Sequence, residues 1–435
     1  MKFYRVIVAA TLAGALAACG SGASGGSDGS SGSSGASRAA DAAGPIQFVG
    51  PEDPKTFAPV IAGFEAKNPG LKVTYTQVPF DQLNTVLQQR LAAKDDSIDV
   101  YTVDQPRVAA LATRGFLTDL TALTDKVKSA ALPGQYEVNV FRDKLWALPI
   151  WTSDQFLFYN TELLEKAGVQ PPSSDPAKRW TWEQTVEAGK KAQEKAGAQW
   201  AVIPEQIEQF YQLQSLAESL GGGSGITGPE MLTPAITTDG WLKAMTWYHG
   251  LFANKLAPRG VGSFQTSPLF SEGKVAFFAG GPWDVGTFAA AKGLKWGVAP
   301  YPYFQGGKPV TPTGSWSWGV NPASKKQTAA QKFIEYAALD PEGNLQTTQN
   351  TTIIPSSKAA FEKYVPLLDA KAKGVGEIMT YDAEHTAVAR PRSVGYIQFE
   401  DIMTKAFADI RNGADPKARL GQATQEITTA WKQLR

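Results

Sequence analysis

Residues 46–104 read IQFVGPEDPKTFAPVIAGFEAKNPGLKVTYTQVPFDQLNTVLQQRLAAKDDSIDVYTVD and alternate short apolar runs with amphipathic stretches. The apolar runs at 46–49, 71–78 and 98–103 predict three β-strands. Between these runs, apolar residues recur at the i, i+3, i+4, i+7 spacing that marks one face of a helix. Because strand–helix–strand order is typical of parallel sheets, this stretch predicts an α/β fold.

Acidic residues stand where the first and third predicted strands end. Glu52 and Asp53 lie in the turn after the first strand, and Asp104 follows the third. Ligands of open parallel sheets bind beyond the carboxyl ends of the strands. These three carboxylates are therefore candidate binding residues.

The composition of the 435-residue chain excludes several classes of function. It has 42 Lys and Arg against 41 Asp and Glu, so binding to nucleic acid through bulk positive charge is not expected. One Cys and two His leave little for zinc, haem or iron–sulfur sites, or for a Ser-His-Asp triad, and we expect neither a metal nor a cofactor. With 43% hydrophobic residues, the chain is long enough for two to three lobes with substantial cores.

The start of the chain has the pattern of a signal peptide over residues 1–18. Lys2 and Arg5 supply a positive start, and an apolar run follows over residues 6–16. This run is shorter than the roughly 20 apolar residues that span a bilayer. We therefore expect the segment to be removed rather than to stay in the membrane.

The end of this segment points to a lipid anchor. The sequence LAACG at 16–20 resembles the lipobox of bacterial lipoproteins, in which Cys19 would carry the lipid. The alternative is an ordinary signal peptide in which Cys19 is incidental. Residues 19–43 are rich in Gly and Ser and predict a flexible tether, so we expect an extracytoplasmic protein anchored to the outer face of the bacterial cell membrane.

Several aromatic residues occupy turns and strand ends, where an aromatic side chain need not be packed in a core. Trp283 follows a Gly-Gly-Pro turn at 280–282, Trp316 lies between two Ser residues, Tyr396 follows a Gly, and Trp151 comes two residues after a Pro. A flat ring beside hydrogen-bonding groups suits a pyranose, which has an apolar face and a rim of hydroxyls. Since Asp and Glu show no recognisable catalytic pairing, we interpret the pattern as sugar binding rather than catalysis.

Five segments spread along the chain carry recognisable motifs. They are FEAKNPGLKV at 64–73, LAAKDDSIDV at 91–100, FRDKLWALP at 141–149, SEGKVAFF at 271–278 leading to GPW at 281–283, and IIPSS at 353–357. In this order they resemble the family-one extracellular solute-binding proteins of ABC importers. This maltose-binding-protein-like group mostly takes up oligosaccharides, and the segment ending at Trp283 is the most specific match.

The resemblance implies a two-lobe periplasmic-binding-protein fold of type II, with a hinge and a ligand cleft between the lobes. Domain closure around a ligand belongs to the known repertoire of hinge motions. The chain is then expected to cross between the lobes more than once. We place the N-lobe at 44–153 and 311–366, and the C-lobe at 154–310 and 367–435.

The resemblance also assigns ligand-binding positions. The acidic position after the third strand falls on Asp104 and the stacking position after Gly-Pro falls on Trp283. The other positions in segments that line the cleft in relatives are Tyr101, Tyr396, Tyr211, Trp151, Asp154, Trp316, Glu52 and Asp53. Arg390 and Arg392 depart from the family pattern, and they are either surface charges or partners for an anionic substituent.

These features together predict a monomeric lipoprotein that captures a small oligosaccharide, with a disaccharide as the first candidate. It would deliver the ligand to the membrane subunits of an ABC permease without covalent chemistry. The nearest alternative keeps the fold and binds a glycerophosphodiester or another anionic solute. A secreted glycosidase or cell-wall enzyme and a lectin-like adhesin are more distant alternatives. The sequence identifies neither the sugar and its linkage nor the permease.

Overall fold

The computed structural model describes residues 41–434, in which helices and short strands alternate along the chain. The strands are β1 (Ile46–Gly50), β2 (Val73–Gln77), β3 (Val100–Asp104), β4 (Val140–Phe141), β5 (Lys144–Leu145), β6 (Leu148–Pro149), β7 (Trp151–Thr152), β8 (Phe156–Asn160), β9 (Trp200–Pro204), β10 (Ile226–Thr227), β11 (Thr233–Pro234), β12 (Val275–Gly280), β13 (Trp296–Pro300), β14 (Thr311–Thr313), β15 (Trp316–Val320), β16 (Ile354–Pro355) and β17 (Ala387–Ala389). The predicted signal peptide, Cys19 and most of the predicted tether lie outside the described residues.

The helices pack on both sides of the strands. They are α1 (Pro54–Lys67), α2 (Phe80–Ala92), α3 (Val108–Thr113), α4 (Thr124–Ala130), α5 (Thr161–Lys166), α6 (Trp182–Ala196), α7 (Phe210–Ser219), α8 (Asp239–Ala253), α9 (Ser267–Ser271), α10 (Trp283–Ala290), α11 (Gln327–Leu339), α12 (Pro341–Gln346), α13 (Lys358–Asp369), α14 (Val375–His385), α15 (Tyr396–Asn412) and α16 (Pro416–Ala430). None of them, within the described range, has the length and apolar character needed to cross a bilayer.

The first large sheet has the strand order β2-β1-β3-β15-β6. β1 is parallel to β2 and to β3, which confirms the parallel arrangement predicted from residues 46–104. β15 comes from much later in the chain and lies antiparallel to β3, with Trp316 opposite Asp104. This register brings two predicted site residues to the same edge of the sheet.

An aromatic core holds this sheet against its helices. The ring of Phe48 on β1 lies 4.3 Å from Trp318 on β15 and 5.2 Å from Phe57 on α1, measured between ring centroids. All three side chains are fully buried. Because aromatic pairs add to area burial, this contact fixes α1 and the late strand β15 to β1.

The second large sheet has the strand order β13-β8-β12-β9. β8 is antiparallel to both neighbours, and β12 is parallel to β9. Phe158, Phe278 and Phe288 form part of its core, with the ring of Phe288 at 5.0 Å from Phe158 and 5.4 Å from Phe278. Helix α10 is thereby tied to the end of β12, where Trp283 begins the helix.

The chain passes between the two sheets more than once. It leaves the first sheet at β6 and enters the second at β8, then leaves the second at β13 and returns to the first at β15. Two small ladders, β7 with β16 and β14 with β17, accompany these passages. The proposed lobe boundaries assign every strand of each large sheet to one lobe. Because Tyr364 is buried in the core of the second sheet, we propose that the third crossing comes before this residue.

Candidate functional site

A cavity of about 110 Å³ opens to solvent between the two sheets. Its lining residues come from both predicted lobes: Phe80, Asn84, Asp104, Arg107, Ser153, Gln206, Gln209, Tyr211, Trp283, Gly314, Ser315, Trp316, Arg390 and Glu400. Four of the ten predicted binding residues are among them, namely Asp104, Tyr211, Trp283 and Trp316. The cavity thus combines aromatic rings with amides, hydroxyls and charged groups.

Four charged side chains form a closed network in the wall of this cavity. Arg390 binds Asp104 with both terminal nitrogens, at 3.0 Å from Nη1 to Oδ2, and its Nη1 lies 3.4 Å from Glu400. Arg107 donates to Glu400 and its Nε lies 3.6 Å from Asp104. Each of the four side chains is only about one-tenth exposed. Two cations and two anions balance, so the network has no net charge.

Burial and pairing act in opposite directions on the ionisation of this network. Burial raises the pKa of Asp104, while the charge of Arg390 opposes that rise. Burial works against the charged form of Arg390, but the neighbouring Asp104 and Glu400 raise the pKa of the guanidinium above its usual range. The charged form of each group is therefore stabilised by its oppositely charged partners in the network.

The network joins the two predicted lobes. Asp104 ends β3 and Arg107 lies in the turn directly after it, so both belong to the predicted N-lobe. Arg390 follows β17, and Glu400 is on α15 of the predicted C-lobe. Tyr396 lies one helical turn before Glu400 on α15, and its hydroxyl donates to Glu400 at 3.0 Å.

Trp283 is held in place by its backbone turn and by one hydrogen bond. Its Nε1 donates to Oε1 of Glu205 over 2.6 Å. A Cβ on Gly281 would lie 2.4 Å from the indole ring, so only glycine lets the ring fold back over this turn. The ring of Tyr211 lies 6.3 Å away, centroid to centroid.

Tyr211 presents its ring to the cavity while its hydroxyl is tied to the passage between the lobes. The hydroxyl lies 2.6 Å from the Ser153 hydroxyl and 3.2 Å from the Pro312 carbonyl oxygen. The guanidinium of Arg390 lies over the ring, 5.3 Å from its centroid. This cation–π contact joins Tyr211 to the charged network.

Three predicted aromatic residues are buried in the cores and do not line the cavity. The hydroxyl of Tyr101 donates to the Phe116 carbonyl, and Trp151 donates to the Thr347 hydroxyl. Tyr396 reaches the site only through its bond to Glu400. Each ring is fully buried because its neighbouring residues belong to interior strands or to a packed helix.

The remaining predicted acidic residues lie elsewhere. Burial raises the pKa of Glu52 to about 7, but Glu52 does not line the cavity. Asp53 is exposed and caps α1 by accepting from the Lys55 N–H at 2.8 Å. Asp154 lines a separate cavity of about 220 Å³, and burial raises its pKa well above the usual range.

The two arginines that depart from the family pattern have different surroundings. Arg390 is not a surface charge, since its guanidinium is enclosed in the network with Asp104 and Glu400. Arg392 is exposed and donates to the backbone carbonyls of Glu137 and Val140. Of the two, only Arg390 lines the cavity.

Several lining residues were not among the sequence predictions. Arg107 and Glu400 gave little signal in the sequence, although the i, i+4 spacing of Tyr396 and Glu400 places both on one helix face. Glu205, which contacts Trp283 without lining the cavity, was also not predicted. The uncharged lining residues that were not predicted are Phe80, Asn84, Ser153, Gln206, Gln209, Gly314 and Ser315. Within residues 41–434, no group of three or more His, Cys, Asp or Glu side chains is placed to hold a metal ion.

Comparison with known proteins places these features in a wider context. A family model described as bacterial extracellular solute-binding protein matches residues 50–343. The "Probable ABC transporter-binding protein" of Deinococcus radiodurans is 28% identical over 364 residues, covering 78% of this chain and 82% of the relative. The galactooligosaccharide-binding protein of Bacillus subtilis is 23% identical over 338 residues, 75% of each chain.

Solved structures give the same picture of the fold. An ABC substrate-binding protein of Listeria monocytogenes, in complex with cycloalternan, superimposes with a TM-score of 0.77 at 23% identity. The superposition covers 88% of this chain and 98% of that one. The predicted two-lobe α/β fold is thereby confirmed.

Proposed function

Because the chain belongs to the bacterial extracellular solute-binding protein family, we propose that it captures a small oligosaccharide between its lobes and delivers it to the permease of an ABC importer. A disaccharide is the first candidate. The observation that carries the proposal is a cavity in which Trp283, Trp316 and Tyr211 stand beside amides, hydroxyls and carboxylates. Rings that stack on sugar faces and polar groups that bind hydroxyls are the two requirements for a saccharide.

The relatives support a saccharide as the ligand. One relative is a galactooligosaccharide-binding protein, and the structure of the Listeria relative is a complex with cycloalternan. In this chain we propose that Trp283 and Tyr211 stack on sugar faces and that Trp316 walls the cleft. Asp104 keeps unused lone pairs beside its bonds to Arg390 and accepts from sugar hydroxyls.

The size of the cavity indicates that the lobes must separate before a ligand enters. Its volume of about 110 Å³ is below the roughly 300–1,000 Å³ of ordinary ligand pockets. Hinge opening exposes the lining groups, and closure then brings them against the ligand. We propose that the permease recognises the closed, loaded form.

The anionic alternative requires a cation that is free to pair with phosphate. In the described cavity, Arg107 and Arg390 are both paired with carboxylates. A phosphodiester would have to displace Asp104 or Glu400 from these guanidiniums. This balance of charge favours a neutral sugar over a glycerophosphodiester.

We also propose that the chain is a monomeric lipoprotein on the outer face of the cell membrane. Removal of residues 1–18 would leave Cys19 as the lipidated first residue. Mass spectrometry of the protein from bacterial membranes would detect the lipid on the peptide that begins with Cys19. Its absence, with an unmodified thiol, would favour an ordinary signal peptide.

A ligand screen tests the proposed function. Melting temperature and tryptophan fluorescence of the chain from residue 39 onward are recorded with mono-, di- and trisaccharides and with glycerophosphocholine. A ligand at 100 times its dissociation constant adds about 2.7 kcal/mol of stability. A shift with one disaccharide class supports the proposal, and a shift only with the phosphodiester supports the alternative. Recovery of the labelled sugar intact separates a receptor from a glycosidase.

Trp283→Ala should weaken binding of the saccharide found in this screen by roughly 1–3 kcal/mol, because it removes the stacking ring. Isothermal titration calorimetry measures the change. Trp296→Ala is the matched control, since Trp296 is also partly buried but packs against Phe158 away from the cavity. Equal affinity of Trp283→Ala and the unmodified chain would remove Trp283 from the site.

A further inference from the structure

The indole of Trp283 rests on a buried pair of carboxyl groups. Glu205, whose Oε1 accepts from Trp283 Nε1, is 4% exposed, and the adjoining Asp284 is 3% exposed. Glu205 directly follows β9, and its N–H donates to the Ala279 carbonyl at 2.8 Å. The Glu205 side chain is therefore attached to a backbone segment that is fixed to the second sheet.

Asp284 is equally well fixed. Its Oδ1 accepts from the Ser267 hydroxyl at 2.7 Å and its Oδ2 from the Gly281 N–H at 3.2 Å. The other oxygen of Glu205, Oε2, is buried and accepts from no donor among the described residues. A proton on Oε2 makes it a donor to the neighbouring Asp284, and leaves Oε1 free to accept from Trp283.

The surroundings favour one proton on this pair. Burial is the main cause that raises the pKa of Glu205, and the negative charge of Asp284 raises it further. Burial also raises the pKa of Asp284, to about 7. Among the described residues, no basic side chain is a main influence on the pKa of either group. Two adjacent carboxylates without a cation repel each other, so the pair retains a proton through neutral pH.

We propose that Glu205 is a positioning residue, whose protonated carboxyl, paired with Asp284, sets the plane of the Trp283 ring for ligand stacking. This inference rests on the proposed function for its link to sugar binding. Loss of the shared proton places two negative charges side by side beneath the ring. The indole N–H favours the ionised form of Glu205, but the repulsion from Asp284 is the larger effect, so the two carboxyl groups separate and the bond from Oε1 to the indole is displaced.

The direction of the pH effect follows from the raised pKa values. A group whose pKa is higher in the folded protein contributes stability below its unfolded pKa and loses it as pH rises through the folded pKa. Both ring order and ligand affinity should therefore be complete in mildly acidic solution and decline above neutral pH. Above the pKa of the shared proton, the affinity should fall by at most about tenfold per pH unit.

The experiment uses the full chain and two substitutions at one position. Glu205→Gln keeps an acceptor for the indole and a donor for Asp284 but cannot ionise, whereas Glu205→Leu has neither group. Glu218→Gln is the matched control, because Glu218 is also a buried glutamate of the predicted C-lobe with a raised pKa but accepts from Gln214 rather than from Trp283. Each variant is compared from about pH 5.5 to 9.

The first measurement needs no ligand. Near-ultraviolet circular dichroism, taken as the difference from Trp283→Phe, reports the order of the Trp283 ring. The unmodified chain and Glu218→Gln should lose this signal above neutral pH, Glu205→Gln should keep it, and Glu205→Leu should lack it throughout. A signal that is independent of pH in the unmodified chain, or one that Glu205→Gln loses equally, overturns the proposal.

The second measurement is the dissociation constant for maltose and for the strongest saccharide of the screen. It should rise by up to tenfold per pH unit above neutral in the unmodified chain and stay within about twofold in Glu205→Gln. An equal rise in both proteins overturns the proposal. If no saccharide binds while the dichroism behaves as expected, the proposed function fails and the positioning role of Glu205 stands.

Discussion

Arg179→Met will lower the free energy of unfolding by about 3–5 kcal/mol, the usual cost of breaking a buried ion pair from one side. The side chains of Arg179 and Asp382 are 3% and 1% exposed and are paired with each other. Arg179 also donates to the Tyr301 carbonyl at 2.6 Å and to the Thr311 hydroxyl at 3.3 Å. Without the guanidinium, the Asp382 carboxylate stays buried and keeps only the hydroxyls of Thr311 and Thr386.

The neighbouring lysine provides the control for this change. Lys178 pairs with Asp175, but the lysine side chain is 72% exposed. Lys178→Met should therefore change stability by no more than about 1 kcal/mol. Urea unfolding followed by tryptophan fluorescence measures both variants. Equal midpoints for the two variants would contradict the importance assigned to the buried pair.

Arg390→Met will weaken ligand binding by about 2–5 kcal/mol, as expected when one member of a buried charged pair at an interface is removed. The closed cleft then holds Asp104 and Glu400 with Arg107 as the only remaining cation of the network. Opening of the lobes hydrates these carboxylates, so the variant should populate the open form more than the unmodified chain does. Calorimetry gives the affinity, and small-angle X-ray scattering gives the change in radius of gyration.

Arg392→Met is the matched control two residues away. Arg392 is exposed and contacts backbone carbonyl groups rather than the network. Its substitution should change the binding free energy by no more than about 0.5 kcal/mol. The radius of gyration should stay the same within experimental error. If both arginine variants bind alike, the network has no part in closure.

The part of the fold that depends on local pattern could be predicted from the sequence. Helical spacing and strand order in residues 46–104 predicted the parallel strands, because both signals come from neighbouring residues. The positions of Asp104 and Trp283 could be predicted for a similar reason, since Asp104 ends a strand and Trp283 follows a turn, and both line the cavity. The later strand β15 inserts between β3 and β6, and no local pattern marks that pairing.

The site was harder to predict because burial depends on distant neighbours. Tyr101 and Trp151 were predicted as site residues together with Trp283, yet packing against other elements buries them in the core. The pair of Arg390 with Asp104 joins positions 286 residues apart, and nothing near either residue indicates the partner. The same holds for Glu205 and Trp283, which meet only when β9 and β12 lie side by side.

The late arrival of β15 also determines the order in which the molecule can be completed during synthesis. When residues 46–149 have emerged from the ribosome, β3 has an open edge and β6 has no strand to pair with. The strands of the second sheet all lie between residues 156 and 300 and are made before β15 appears. The second sheet can thus assemble while the first still exposes an unpaired edge. Unpaired edges are the sites through which partly folded chains aggregate and to which chaperones bind. The first lobe to be translated is the last to close its sheet.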